Sequence, residues 1–239
     1  MVESPPPIYV KNIWGGVFSG GLIRLSSSCR GEALRAVAKN QSQPMQSGGR
    51  LGWTQAPTAE LAELLNRMHN PLPTKKPSSG RGVTFPSSAR YFLTCLPAEV
   101  PSSKTKKTLH LSDDKFFWPW IGLYNSHLFH AWWLMVGDAF HVLKWQYKHI
   151  CAPEGWVDES LRHRTEQAAR SLIDEEALKS CYIAPKGTAG ANYNFHEEGT
   201  LASLVIEELD RLLIEAYGLS QEPLLTQMRI IRTGSAHEL

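Results

Sequence analysis

The sequence predicts an α+β fold, helix-rich after residue 112, with short strands around residues 89–96 and 108–111. Three observations carry that prediction. Apolar residues recur at helical spacing through the second half, above all Leu201, Leu204, Val205, Leu209, Leu212, Leu213 and Tyr217. The run ARYFLTCL over 89–96 has the aromatic and β-forming content of a strand. Stretches rich in Pro, Gly and Ser lie between such segments and read as loops. At 239 residues, 42% hydrophobic and 20% charged, the chain is long enough to bury a core and too apolar for wholesale disorder.

Residues 1–52 hold short apolar runs broken by Gly15, Gly16, Gly20 and Gly21, and stay unassigned; 53–239 form the expected domain. Within the first part a helix over 30–39 and a polar, glycine-rich linker over 40–52 are expected. Thr58 can cap a helix reaching residue 69, with Leu61, Leu64, Leu65 and Met68 on one face and Asn70-Pro71 as its stop. Residues 71–90 read as irregular and 97–107 as a basic loop. Ser112 can cap a long aromatic helix, Asp113 and Asp114 suit its first turn, and Gly137-Asp138 ends it. Residues 140–149 are amphipathic as either strand or helix. Asp158 starts a helix running to about Cys181, whose Leu161, Thr165, Ala168 and Leu172 mark the buried side. A turn spans 185–193, Thr200 caps the last helix and Gly218 follows its end.

The aromatic stretch 116–136 is long enough to cross a bilayer, but Asn125, Ser126, His127 and His130 would sit near the midplane, where polar groups are costly. A buried helix of a protein with no membrane partner is the expected reading. Cys29, Cys95, Cys151 and Cys181 are widely spaced with no C-x-x-C pair, and the first residues lack the basic and apolar regions of a secretory leader. Reduced thiols in a cytoplasmic protein are expected.

The net charge of +2 hides a division. Residues 1–111 hold 14 Lys/Arg against 5 Asp/Glu, so +9, and residues 112–239 hold 11 against 18, so −7. A polyanion would be met by the first half. Its densest basic part contains Arg67, Lys75, Lys76, Arg81, Arg90, Lys104, Lys106 and Lys107, opposed by Glu99 alone. Charges on loops can follow a phosphate backbone. Other chemistries find less support. The glycine pairs match neither a dinucleotide fingerprint nor a phosphate-binding loop, and no G-x-S-x-G elbow occurs. His127 and His130, with Asp138 and His141 downstream, fit packing in an aromatic helix better than a zinc site, so no metal is expected. Glu197-Glu198 reads as a capping feature.

Residues 88–149 carry, in order, Ser88-Ala89-Arg90-Tyr91-Phe92, a basic loop, Leu123-Tyr124-Asn125-Ser126-His127-Leu128-Phe129, Trp132-Trp133, and Gly137-Asp138-Ala139-Phe140-His141-Val142. Gly190-Ala191-Asn192-Tyr193-Asn194 and the run IEELDRLLIEAYGL follow. This series resembles the C-terminal target-recognition region of adenine-specific (N6) DNA methyltransferases of restriction–modification systems, including the fused type IIG enzymes. The resemblance covers roughly residues 80–219. It implies double-stranded DNA as partner and a site-specific methyltransferase as the enzyme class. The upstream cofactor loop and the Asn/Asp-Pro-Pro-Tyr/Phe motif of active members have no counterpart; Asn70-Pro71-Leu72-Pro73 lacks the aromatic that would stack on a flipped base. No catalytic residue and no cofactor are therefore assigned to this chain, and S-adenosylmethionine would be held by a missing domain or a separate methyltransferase subunit. A gene fragment, a specificity subunit, or a chain without activity would each give such a sequence.

On this resemblance Lys75, Lys76, Arg81, Lys104, Lys106 and Lys107 are the candidate phosphate contacts, and Arg90 could reach a base edge or form a salt bridge. His141 and Lys144, with Asp138, follow the aromatic helix on a segment able to enter a groove. Asn125 and Ser126 read first as a buried hydrogen-bond network, then as base readout. Asn192 and Asn194 flank Tyr193 in a turn, where turn chemistry is favoured over base contacts. Trp132 and Trp133 are adjacent, so one packs in the core while the other meets a second element or DNA. The rival reading is a protein-interaction or scaffold domain that docks through its aromatic and amphipathic helices.

Overall fold

The structure is a computed structural model that describes residues 42–47, 51–55, 59–68, 80–89, 93–102, 106–111, 114–136, 141–184, 191–221 and 224–225. Among these it holds seven α-helices and small antiparallel sheets, an α+β protein. The helix expected over 30–39 lies outside the described residues, as do the cap Ser112, Asp113 and the stop Gly137-Asp138.

The first described element is a hairpin, β1 (Ser42–Ser47) with β2 (Leu51–Gln55), where a linker was expected. β2 crosses the 52/53 boundary drawn from composition and packs against a later helix. Polar composition concealed the pairing, because a two-stranded ribbon needs few apolar side chains of its own. Helix α1 (Ala59–Met68) follows as expected, burying Leu64 and Met68.

A three-stranded sheet comes next, with β3 (Arg81–Pro86) central between β4 (Leu96–Pro97) and β5 (Lys106–Leu111). The expected strand at 108–111 is present and starts two residues earlier. Of the strand expected around 89–96, residues 90–92 lie outside the described residues, Ala89 and residues 93–95 are irregular, and Leu96 begins β4; the longer strand β3 lies in the stretch 81–86 that reads as a loop. Gly82 and Pro86 disguise β3 as punctuation. Gly82 is there for space, since a Cβ would come 3.0 Å from Ala98 Cβ. Leu93 and Cys95 are buried as a strand's would be, but the Cys95 backbone bonds to a side chain, described below, in place of a ladder.

The aromatic stretch forms two helices, α2 (Phe117–Asn125) and α3 (His127–Val136), broken at Ser126. A 3-10 turn, Asp114–Phe116, leads into α2, and Pro119 sits in its first turn, where the missing N–H costs nothing. α4 (Lys144–Lys148) settles the ambiguous 140–149 run as helix. The long helix expected from Asp158 is divided into α5 (Glu159–Leu172) and α6 (Glu175–Ser180); Asp158 caps the first by accepting from the Ser160 and Leu161 amides at 2.8 and 3.2 Å. On α5 Ala169 is fully buried and Ala168 only partly so, shifting the inner face by one position.

A second two-stranded ribbon, β6 (Tyr182–Ile183) with β7 (Asn192–Tyr193), precedes α7 (Leu201–Ala216). Thr200 Oγ1 caps α7 by accepting from the Ser203 amide at 3.1 Å. Gly218, at φ +66°, closes it with the Leu219 amide bonded back to the Ile214 carbonyl, a Schellman ending. The expected stripe is rotated at its start: Leu201 and Leu204 are exposed, and Ala202, Ile206, Leu209 and Leu213 face inward.

The core lies where α2, α5 and α7 cross. Gly122 of α2 sits at that crossing, where a Cβ would meet Leu209 at 2.9 Å and Ala169 at 3.3 Å. An aromatic group of Phe85, Tyr124, Phe129 and Tyr147 joins the sheet to α2, α3 and α4, with ring centroids 4.0–4.9 Å from Tyr147. No helix among the described residues is long and apolar enough to cross a membrane.

Candidate nucleic-acid interface

The break at Ser126 shows what the polar pair inside the aromatic stretch does. The Asn125 carboxamide accepts from the Cys95 amide at 2.8 Å and donates to the Cys95 carbonyl at 2.7 Å and the Ile121 carbonyl at 2.8 Å. It engages both backbone groups of Cys95, as a neighbouring strand would. Ser126 Oγ accepts from the Phe129 amide at 3.1 Å, capping α3, and donates to the Leu123 carbonyl at 2.7 Å. Both residues are fully buried, and the network reading expected first for them accounts for these bonds.

Asp210, which the sequence reading overlooked, completes this centre. Its carboxylate, 2% exposed on α7, accepts from the His127 amide at 2.9 Å and faces His127 Nδ1 at 2.6 Å. An anion at the first turn of α3 satisfies amides that the helix itself leaves unpaired. An acid on the apolar face between Leu209 and Leu213 was the available signal. The His196 ring lies tilted beside those of His127 and His130, at centroid distances of 4.5 and 6.0 Å. Burial, helped by nearby His127, lowers the His130 pKa to about 3, so this imidazole is neutral. Among the described residues no group of three His, Cys, Asp or Glu is placed to hold a metal. Trp132 and Trp133 are both fully buried, and Trp133 Nε1 donates to the His141 carbonyl at 3.2 Å, so it meets a second protein element.

The candidate cations divide. Lys75, Lys76, Arg90 and Lys104 lie outside the described residues. Arg81 donates to Glu99 at 2.8 Å and lies 3.7 Å over the Phe117 ring, so its charge is already engaged. Lys107 Nζ donates to the Val142 carbonyl at 2.6 Å, tying β5 to the segment before α4. Lys106 and Lys144 are exposed, and neither makes an ion pair within the described residues. His141 is half-buried and bridges Ser88. Asn194 performs turn chemistry, its Oδ1 accepting from the His196 amide at 3.2 Å.

Asn192 and Lys106 meet on a cleft of about 310 Å³ between the three-stranded sheet and the β6–β7 ribbon. Its walls are mostly apolar, with Phe85, Pro86, Ile183 and Tyr193 among them. Thr94 Oγ1 donates to the Tyr193 carbonyl at 2.8 Å and fixes the ribbon against the sheet side. Burial, with Tyr182 and Cys181 nearby, raises the Tyr193 pKa, so the phenol stays neutral. Ser102 borders the cleft, and its buried Oγ makes no hydrogen bond among the described residues. Thr94 and Ser102 were missed because a lone hydroxyl on a loop carries no periodic signal.

Segments distant in sequence are joined at this end of the molecule. Ser88 bridges His141, Cys95 bonds Asn125, and Thr94 bonds Tyr193. Comparison with known proteins returns no match: no family model, no curated protein and no solved structure matches the chain.

Proposed function

We propose that the chain is the DNA target-recognition part of a site-specific adenine-N6 methyltransferase or restriction–modification enzyme, without a methyl-transfer centre of its own. The observation that carries this reading is the cleft on which Lys106 and Asn192, far apart in sequence, meet. It offers what a nucleic-acid contact needs: an exposed cation for phosphate, an amide able to pair with a base edge, and apolar walls. Lys144 supplies a second exposed cation after α3. S-adenosylmethionine would be held by another domain or subunit, and the DNA duplex would be the partner of this chain.

The test is fluorescence anisotropy of the full chain with a labelled random duplex over a salt series. Binding that tightens as salt falls, with a slope implying several neutralised phosphates, supports the reading. A folded sample that binds no duplex at low salt overturns it. A second reading, docking of a protein partner, is favoured by Leu204 and Leu201, 61% and 44% exposed at the start of α7. A partner held there would stay bound at high salt.

A further inference from the structure

We infer that His196 is an acid-released latch, which holds the turn between the β6–β7 ribbon and α7 against α3 while neutral and lets it go when protonated. The placement of three imidazoles carries this. The buried His196 ring lies 4.5 Å from the His127 ring and 6.0 Å from that of His130, also buried. From α7, Asp210 gives one carboxylate oxygen to the His127 amide and the other to His127 Nδ1. From α3, the uncharged Trp133 ring stacks on His130 at 5.7 Å. Glu197 and Glu198, next to His196 in the chain, are exposed, and Glu197 faces the Cys181 thiol after α6. A proton on His196 thus places a cation in a buried space beside two further imidazoles, where the Asp210 carboxylate is already bonded to His127.

Of the three rings, that of His196 is the one able to leave. Asp210 holds His127 by both amide and ring, and His130 lies inside α3. His196 belongs to no helix or strand. Its turn is closed by the Glu197 amide on the Asn194 carbonyl at 3.2 Å and the Thr200 amide on the Glu197 carbonyl at 3.3 Å, long bonds of their kind. Phe195, fully buried, anchors the chain just before it, so release is confined to residues 196–200. The pH window follows from linkage. An imidazole in water titrates near about 6.5, whereas burial holds the neighbouring His130 at about 3. The latched form binds fewer protons than the released one, so release gains as pH falls below about 6.5, by up to about tenfold between pH 7.5 and 5.5.

The experiment is amide hydrogen exchange of the full chain at pH 7.5 and 5.5, corrected for the intrinsic pH dependence of exchange. The amides of residues 196–200 should lose protection by up to about tenfold at the lower pH, while those of α5 keep theirs. His196→Phe keeps a ring in the buried space and takes no proton, so its turn should stay protected at both pH values. His196→Arg, charged at both, should leave the turn open already at pH 7.5. Circular dichroism checks that each variant folds, and His196→Gln repeats the neutral case should the Phe ring not seat. Equal protection of the turn at both pH values in the wild type overturns the latch. So does loss of protection that persists in the neutral variants, which places the titrating group elsewhere. Loss that spreads to α5 in step with the turn overturns it in favour of acid unfolding of the whole chain, and an Arg variant protected like the wild type removes charge as the cause.

Discussion

Two regions of this molecule place an asparagine among buried or half-buried groups, and they treat its side chain in opposite ways. Around the α2–α3 break, the Asn125 amide and carbonyl, the Ser126 hydroxyl and the Asp210 carboxylate are spent on the protein's own backbone. On the cleft between sheet and ribbon, the Asn192 carboxamide and the buried Ser102 Oγ make no such bond among the described residues. The first arrangement ties two helices to the irregular segment 93–95. The second leaves Asn192 on the lining of a cleft, with a carboxamide that can both donate and accept. The same residue type, asparagine, thus serves as scaffold in one place and as candidate contact in the other.

The comparison predicts its own largest effect at Asp210. Asp210→Ala strands the His127 amide and imidazole in the core and should cost about 3 kcal/mol or more, read as a lowered urea midpoint. Asn125→Ala should cost about 2 kcal/mol through the unpaired Cys95 backbone, again by urea unfolding, and an Asn125→Asp variant should not restore it because the two donations are lost. Gly155→Ala should cost about 1–3 kcal/mol, since a Cβ would lie 2.7 Å from the Ala216 backbone, which has no side-chain freedom to yield.

A pH series sharpens the same contrast. His130 is neutral in the fold with a pKa lowered to about 3, and in the unfolded chain it takes up a proton near its usual 6.5. Between those values the unfolded state binds more protons, so stability falls as pH falls through that window and His130 contributes no pH dependence above it. His130→Asn should flatten the urea midpoint between pH 6.5 and 4. The smallest effects belong to the cleft side. Lys106→Ala should leave the unfolding midpoint within about 0.5 kcal/mol and lower the salt slope of duplex binding by about one. Arg81→Gln should do the reverse, changing stability by up to about 1 kcal/mol through Glu99 and Phe117 while the slope stays put.

Of the site, the sequence named Lys106 and Asn192 but could not say that they share a cleft, nor that Arg81 and Lys107 are engaged elsewhere. Charge on a basic loop is visible in composition; whether a carboxylate, a ring or a carbonyl lies opposite depends on pairing between distant segments. Glu99 reaches Arg81 only because β4 folds back on β3, and Val142 reaches Lys107 only because residues 141 and 142 lie against Ser87 and Ser88.

What the sequence determined by itself is local. Thr200 and Asp158 as caps, Gly218 as the closing left-handed residue, helix α1 and the α+β class follow from side-chain chemistry within a few residues of each feature. The tertiary structure decided the rest. It made a strand of Arg81–Pro86, because Val83 and Thr84 find partners in two other strands, and it gave the Cys95 backbone to the Asn125 carboxamide. It divided the aromatic stretch at Ser126, because a hydroxyl there can cap a new helix whose first amide is met by Asp210 from the far end of the chain. Backbone groups must be paired wherever they are buried, and which distant group does the pairing is settled only when the chain has packed.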